Sequence, residues 1–301
     1  KWIVGNDPVV GPAKSFLYDR EVNTLTELYV TRPELEGAPL QPMHTLELKS
    51  RDGLTLPSYL TLPPGSDSNG DGFPDKPVPM VLPVHGGPWA RDGYGFNGYH
   101  QWLANRGYAV MSVNYRGSTG FGKRFVALDN GPFKREDSVK DIGAFLDRFD
   151  KDPRIDSKRI AETGGSYGGY MCYALAIRYG GRFKAANCIV AISNFVTFLE
   201  NTQSYRRDLR RVEYGDERDP AQRAKLVPAE AIGDMQKDGA GFAGFATWLD
   251  LTPAHPDLFA MPDGDAAIQL PWKPEVAWLA SDLWMDGKQV EQCPRVVLKR
   301  Q

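Results

Sequence analysis

The chain has 301 residues, 42% of them hydrophobic, which is enough for one large domain or two ordinary ones. Its 36 basic and 38 acidic residues nearly balance, so no surface for a nucleic acid or another polyanion is indicated. No apolar run has the length of a transmembrane helix. The composition is typical of a soluble globular protein with neither a nucleic-acid nor a membrane partner.

Three cysteines, Cys172, Cys188 and Cys293, lie in or beside apolar stretches. This placement favours buried thiols over a disulfide framework and is compatible with a reducing compartment such as the cytoplasm. The sequence starts at Lys1 without a methionine or a leader, so we expect that processing or truncation has removed the true start.

Two hairpins are predicted in the first 62 residues. Residues 16–20 and 25–30 alternate between apolar and polar side chains, as strands do, but one hairpin is not stable alone. It therefore indicates a fragment of something larger. A proline-bearing linker over 33–42 leads to a second hairpin over 45–62, which turns at Asp52-Gly53.

Residues 66–75 place oxygen ligands at alternating positions around a glycine bend, as a calcium loop does. The candidate ligands are Asp67, Asn69, Asp71 and Asp75. Val78 stands where the closing bidentate glutamate of such a loop belongs, which favours a solvated turn over calcium. The sequence indicates no other cofactor.

The apolar run over 79–84 predicts a buried strand that leads into His-Gly-Gly-Pro at 85–88. Gly86 and Gly87 let backbone N–H groups face a ligand, as one half of an oxyanion hole requires. A tight turn without catalytic function is the alternative.

Strands and helices then alternate. Residues 108–114 and 184–193 predict further buried strands, and a helix between them has apolar residues at helical spacing, at positions 139, 142, 146 and 149. The span from about Thr45 to Ser193 therefore predicts a mostly parallel α/β sheet entered by a hairpin.

Residues 164–168 form a Gly-x-Ser-x-Gly pattern between a short strand, 159–163, and a helix that runs to Tyr179. This is the context of a nucleophile elbow, in which a serine occupies a sharp strand-to-helix turn. The start of the helix directs free N–H groups at an oxyanion, so the Tyr167 N–H is a candidate donor beside Ser166. The alternative is a glycine-rich turn with a bystander serine.

Three motifs together resemble the prolyl oligopeptidase family of serine peptidases, in its acylaminoacyl-peptidase-like and dipeptidyl-peptidase-like members. They are His-Gly-Gly-Pro at 85–88, Asn-Tyr-Arg-Gly-Ser at 114–118 and Gly-Gly-Ser-Tyr-Gly-Gly-Tyr at 164–170. The resemblance extends from Lys1 to about Leu226, and residues 1–31 resemble the end of that family's β-propeller. It implies an α/β-hydrolase domain that acts on peptides or esters.

By this resemblance Ser166 is the acylated nucleophile, and the backbone N–H groups of Tyr167 and Gly87 form the oxyanion hole. His85 has a structural role, because a histidine at a strand end beside an oxyanion turn shapes the loop more often than it moves protons.

The triad's acid and histidine should follow the serine, on loops after two further strands. Neither of the family's motifs for them occurs after residue 226. His255 is the one histidine downstream of Ser166, so it is the candidate base, with Asp250 or Asp257 to orient it. A loop position fixed between prolines is the alternative for His255.

From about Ala224 the sequence resembles instead the N-terminal domain of glutamine synthetase, over 224–228, 238–245, 261–263, 271–272, 286–287 and 293–300. This resemblance implies a small β-grasp domain with strands over 277–283 and 289–292. Asp238 matches the acidic residue of a loop that such domains lend to a neighbouring subunit, and a loop-capping carboxylate is the alternative. That family's ATP and metal ligands lie in a larger domain that would follow Gln301, so we expect neither ATP binding nor glutamine synthesis.

The predicted fold is α/β, an incomplete α/β-hydrolase sheet with a C-terminal β-grasp-like α+β segment. We expect a β-propeller remnant and linker over 1–40, a partial hydrolase domain over 41–226 and a glutamine synthetase-like segment over 227–301. Because the last hydrolase strands are missing, an open sheet edge should favour self-association, through that edge or through the C-terminal segment.

Three functions remain open. The first is a serine hydrolase that forms an acyl-enzyme on Ser166 and is impaired because the family's Asp and His are absent. The second is a catalytically inactive mosaic or fragment that acts at most as an interaction module. The third is a glutamine synthetase-related chain without its catalytic domain.

Overall fold

A computed structural model describes residues 1–226 and, beyond them, the backbone of four short strands between residues 247 and 291. The chain begins with a three-stranded antiparallel sheet of β1 (Trp2–Asn6), β2 (Lys14–Asp19) and β3 (Thr24–Val30). The first predicted hairpin is confirmed by β2 and β3, whereas β1 was not predicted. Several large apolar side chains of this small sheet are exposed, among them Trp2, Ile3 and Tyr29.

The central sheet contains six strands from the first 226 residues: β4 (Met43–Lys49), β5 (Thr55–Thr61), β6 (Val78–Val84), β7 (Ala109–Val113), β8 (Ile155–Gly165) and β9 (Ala185–Ile189). Their order is β9-β8-β6-β7-β5-β4. The neighbouring pairs from β9 to β7 are parallel, and β5 is antiparallel to both β7 and β4. The predicted parallel sheet entered by a hairpin is therefore confirmed.

The described residues include the helices α1 (Gly98–Ala104), α2 (Lys123–Val126), α3 (Glu136–Phe149), α4 (Tyr167–Tyr179), α5 (Phe195–Glu200), α6 (Ser204–Tyr214) and α7 (Pro220–Leu226). Within this part of the chain, none of the helices is both long enough and apolar enough to span a membrane. The four apolar positions predicted for α3 are all buried, so its helical spacing is confirmed.

Alternate side chains of β6 belong to two different core layers, as the period of a strand requires. Met80 and Leu82 pack with residues of α3 and α4 in the main core, whereas Val81 packs with Leu103 of α1 and with Val110 in a second cluster. Helices therefore cover both faces of the sheet, which gives the layers of an α/β fold.

β9 is shorter than the predicted strand over 184–193. It ends at Ile189 because Val190 has a left-handed backbone, with φ 41°, which does not continue a strand. Val190 is also 65% exposed, although its sequence neighbours are apolar. The chain leaves the sheet at this point, beside the strand-to-helix turn after β8.

Beyond residue 226, β10 (Thr247–Leu249) pairs antiparallel with β9 at two positions and also with β11 (Ala277–Leu279). A separate antiparallel pair consists of β12 (Leu283–Met285) and β13 (Lys288–Glu291). The predicted open edge of β9 thus has a backbone partner over part of its length. The β-grasp arrangement remains a prediction, and Asp238 and Cys293 lie outside the described residues.

The expectation of free buried thiols was wrong for two of the three cysteines. Cys172 on α4 and Cys188 on β9 are buried as predicted, but they form a disulfide with a Cα–Cα distance of 5.5 Å. The pairing was missed because the packing of α4 on β9, and not the sequence spacing, brings the two residues within bonding distance. Cysteine usage therefore no longer supports a reducing compartment.

Candidate active site

Ser166 lies at the sharp turn between β8, which ends at Gly165, and α4, which begins at Tyr167. Its backbone has φ 59° and ψ −117°, a conformation that is costly for a residue with a Cβ. The residue is exposed, while Tyr167 after it is fully buried. A strained, exposed serine between a strand and a helix is the geometry of a nucleophile elbow.

The glycines of the motif are required by close backbone contacts. A Cβ on Gly164 would lie 2.3 Å from the Gly168 carbonyl oxygen, and one on Gly168 would lie 2.2 Å from the Val84 carbonyl oxygen. A Cβ on Gly169 would lie 2.7 Å from Ala191 Cα. Glycine therefore lets α4 approach β6 and the chain after β9 closely enough to hold the turn.

The glycine turn after β6 lies against the elbow. A Cβ on Gly86 would be 3.0 Å from the Gly165 carbonyl oxygen and 3.7 Å from Ser166 Cβ. Tyr167 is the first residue of α4, so the helix leaves its N–H without an intrahelical partner. The structure brings together the segments of Ser166, Tyr167 and Gly87; the roles of the two N–H groups as oxyanion donors remain a prediction.

His85 is enclosed within its own loop. One ring nitrogen, Nε2, lies 2.8 Å from Ser118 Oγ, and the other, Nδ1, lies 2.8 Å from the Gly86 carbonyl oxygen. The ring stacks on Tyr115 at 4.3 Å, and burial lowers the pKa of His85 to about 4. Both nitrogens face loop atoms, which supports the structural role expected for this histidine.

Among the residues that the structure describes, no basic side chain contacts Ser166. Within the same residues, the Ser166 hydroxyl has no hydrogen-bond partner. His100 is buried between Thr61 Oγ1, at 3.1 Å, and Ser112 Oγ, at 2.9 Å. His44, on β4, lies beside Gly72, which belongs to the loop before β6. His255, the predicted base, and its candidate partners Asp250 and Asp257 lie outside the described residues.

The predicted calcium loop is closed by its own hydrogen bonds. The Asp67 carboxylate accepts from the N–H groups of Gly70, Asp71 and Gly72 at 2.8, 3.1 and 2.9 Å. Asn69 donates to Asp71, and Asp75 accepts from the Ser68 N–H. Across the described part of the chain, no three His, Cys, Asp or Glu side chains are grouped to hold a metal. These hydrogen bonds order the loop by themselves, and calcium binding by Asp67, Asn69, Asp71 and Asp75 stays a prediction.

The Asn-Tyr-Arg-Gly-Ser motif anchors the sheet to α3. Arg116 Nε and Nη2 donate to the two Asp141 carboxylate oxygens at 2.9 and 2.7 Å, and Nη2 also reaches Asp52 at 3.0 Å. Arg116 is 4% exposed and Asp141 is fully buried. Removal of one partner from a buried, bidentate ion pair strongly destabilises the fold, because the other charge is left buried and unpaired. The motif therefore has a structural role.

A buried polar cluster beneath the elbow was not predicted. Tyr167 Oη donates to Asp129 Oδ2 at 3.0 Å, and Arg135 Nη1 lies 3.7 Å from the same oxygen. Burial raises the pKa of Asp129 to about 7, and Arg135 opposes that rise. Neither residue belongs to a recognisable motif, because their contact with the elbow depends on how the loop before α3 folds.

A family model described as the prolyl oligopeptidase family matches residues 94–237. Residues 94–237 belong to the prolyl oligopeptidase family. Dipeptidyl aminopeptidase BIII of Pseudoxanthomonas mexicana is 48% identical to this chain over 206 residues, which is 68% of this chain and 30% of that protein. The chain thus spans less than a third of the length of this curated relative.

Comparison with solved structures also identifies peptidases. An acylaminoacyl peptidase from Pyrococcus horikoshii superposes with a TM-score of 0.62 at 25% identity, over 76% of this chain and 36% of that one. A separate segment of 79 residues, 26% of this chain, is 80% identical to 18% of glutamine synthetase from Rhizobium leguminosarum bv. phaseoli. The predicted resemblance to two unrelated families is confirmed.

Proposed function

We propose that the chain is a serine hydrolase of the prolyl oligopeptidase type that cleaves peptide or ester bonds through an acyl-enzyme on Ser166. The observation that carries this proposal is the conformation of Ser166, which is exposed on a strained turn directly before α4. Membership of residues 94–237 in the prolyl oligopeptidase family supports it.

In this mechanism Ser166 Oγ attacks the substrate carbonyl carbon and loses its proton to a base. The carbonyl oxygen becomes an oxyanion that accepts hydrogen bonds from the N–H groups of Tyr167 and Gly87. Collapse of the tetrahedral intermediate breaks the C–N or C–O bond while the base passes its proton to the leaving nitrogen or oxygen. An amine or an alcohol is released, and the acyl group stays on Ser166. Attack by water then releases the acid and restores the hydroxyl.

The identity of the base limits the rate that we expect. Loss of a triad member commonly lowers kcat by about 10⁴ to 10⁶. We propose His255, oriented by Asp250 or Asp257, as the base of any activity that this chain has. Without such a base the serine hydroxyl is a poor nucleophile.

A second candidate function is a non-catalytic chain, which acts at most as an interaction module. The observation that favours it is the environment of the described histidines, since both ring nitrogens of His85 and of His100 contact other groups. A glutamine synthetase-related role ranks third, and the segment of 79 residues that is 80% identical to part of a glutamine synthetase is the observation behind it.

The domain division proposed with this function places a β-propeller remnant and linker at 1–40, the partial hydrolase at 41–226 and a β-grasp segment at 227–301. Peptides or esters are the proposed substrates. Self-association through the outer edge of β9, or through the C-terminal segment, is proposed as the second kind of interaction.

The deciding experiment is intact-mass analysis after treatment with a fluorophosphonate. We expect one adduct on the wild-type chain and none on Ser166→Ala. Adduct formation that persists in Ser166→Ala, or its absence from the wild type, would contradict the proposed hydrolase and favour the non-catalytic chain.

The same assay tests the base. His255→Ala should abolish the adduct and the turnover of p-nitrophenyl acetate. Full retention of both in His255→Ala would remove His255 as the candidate.

A further inference from the structure

A cluster of five buried residues lies beneath the elbow and contacts both segments of the proposed oxyanion hole. We call it the support cluster, and its members are Asp129, Arg135, Tyr167, Glu213 and Tyr214. All five are at most 3% exposed. They come from the elbow, from α6 and from the loop before α3, so only the folded chain brings them together.

On one side the support cluster fixes Tyr167. The Tyr167 hydroxyl donates to Asp129 Oδ2 at 3.0 Å, and the Arg135 guanidinium carbon lies 5.3 Å from the centre of the Tyr167 ring. This is within the range of a cation–π contact, which is stronger in a desolvated site. The side chain of the residue that supplies one proposed oxyanion donor is therefore held at its far end.

On the other side the support cluster fixes the glycine turn. The Tyr214 hydroxyl donates to the Gly87 carbonyl oxygen at 2.5 Å. This contact holds the peptide unit between Gly87 and Pro88. The second proposed donor segment is thus attached to the end of α6.

Arg135 connects the two sides. Its Nη2 donates to the Glu213 carbonyl oxygen at 2.5 Å, and its guanidinium carbon lies 4.8 Å from the Tyr214 ring centre. It also lies 5.2 Å from the Phe195 ring, so three aromatic rings surround one cation. Within the described part of the chain, Arg135 is the one charged side chain that contacts both Tyr167 and Tyr214.

We propose that Arg135 is a positioning residue that sets the placement of the Tyr167 N–H relative to the Gly87 N–H. An oxyanion hole acts through donors fixed in advance at the place where charge develops, and small displacements of a donor are costly. The inference rests on the proposed function for its chemical meaning, but the coupling of the two segments through Arg135 is a property of the fold.

The test measures the backbone amide signals of Tyr167 and Gly87 in ¹⁵N–¹H spectra of the full chain. In Arg135→Met both signals should shift, and both amides should exchange with solvent at least about tenfold faster. Arg135→Lys keeps a cation between the rings. It should return both signals toward their wild-type positions.

Arg116→Met is the matched control, since it also removes a buried, ion-paired arginine. It should lower stability without shifting the Tyr167 and Gly87 signals. Unchanged signals in Arg135→Met, or equal shifts in Arg116→Met, would overturn the proposal.

A milder variant covers the case in which Arg135→Met does not fold. Tyr214→Phe removes only the hydroxyl that donates to Gly87. If Arg135 couples the two sides, the Tyr167 amide must shift together with that of Gly87. A shift confined to Gly87 would show that the two sides are independent and would overturn the proposal.

These spectra do not require turnover, so their result does not depend on whether the proposed hydrolase activity is found. A chain that takes no fluorophosphonate adduct can still show the coupled amide shifts. If the wild type is labelled, its labelling rate should fall by about 10²-fold in Arg135→Met, the scale of losing one oxyanion donor. Arg135→Lys should recover most of that rate.

Discussion

At the level of single residues, two glycines of the elbow have opposite surroundings. Gly168→Ala would place a methyl group 2.2 Å from the Val84 carbonyl oxygen, whereas the nearest atom to a Cβ on Gly165 is 4.0 Å away. Although alanine is the better helix former, we expect Gly168→Ala to lower the free energy of unfolding by about 3 kcal/mol. Gly165→Ala should change it by less than about 1 kcal/mol. Urea unfolding measures both, and equal effects would contradict the contact argument.

His100 gives a second residue-level prediction, a pH dependence. Burial lowers its pKa to about 4, below the usual value near 6.5 of an unfolded chain. The folded state therefore binds fewer protons than the unfolded state between these pH values. The stability contributed by neutral His100 is fully present above about pH 6.5 and is lost as pH falls toward 4.

The measurement compares urea unfolding of the wild type and His100→Gln at pH 7 and pH 5. When the pH is lowered from 7 to 5, the free energy of unfolding of the wild type should fall by about 2 kcal/mol more than that of the variant. The difference between the two proteins isolates His100, since His85 has the same kind of shift in both. An identical pH dependence would show that His100 titrates normally.

The site residues that could be predicted from the sequence depend on local patterns, whereas the residues that could not be predicted depend on tertiary contacts. Ser166 was predictable because a strand, a glycine-spaced serine and a helix follow one another locally in the chain. Arg135 and Asp129 were not, because their contact with Tyr167 joins residues 32 and 38 positions apart and has no pattern of its own. The same reason explains the disulfide, which depends on tertiary packing.

At the level of elements, the disulfide ties α4, which follows the nucleophile, to β9. The loop that it closes spans 16 residues, and a loop of this size contributes about 3 kcal/mol by the chain-entropy estimate. The double variant Cys172→Ala/Cys188→Ala should therefore unfold at a lower urea concentration, with a free energy lower by about that amount.

Alkylation of the denatured chain checks the pairing directly. Without a reductant, one of the three cysteines should react, and after reduction all three should react. In Cys293→Ala the unreduced count should fall to zero. Three alkylated thiols in the unreduced wild type would contradict the disulfide.

The elements themselves followed largely from periodicity. The apolar spacing of α3 and the continuous apolar run of β6 predicted both elements and their burial. The end of β9 was not predictable, because Val190 is a strong strand former whose left-handed conformation is imposed by the turn beside the elbow. Tertiary context therefore decided this boundary.

At the scale of the whole molecule, the outer edge of β9 is the place where the central sheet continues into strands from beyond residue 226. In the described part of the chain, β10 pairs with β9 at Ala185 and Ala186, through Leu249 and Trp248. A chain that ends at Leu226 would lose this partner and expose unpaired N–H and C=O groups. Exposed strand edges pair with other chains, so we expect the 1–226 chain to self-associate more than the full chain.

Sedimentation at several protein concentrations measures this difference, and a charged edge variant identifies the surface. Ile189 is 48% exposed at the end of β9, so Ile189→Lys should be tolerated and should reduce association of the 1–226 chain. The small N-terminal sheet is the competing surface, because it also exposes Trp2, Ile3 and Tyr29. Association that persists in Ile189→Lys but disappears in Ile3→Lys would assign self-association to that sheet and would contradict the role of the β9 edge.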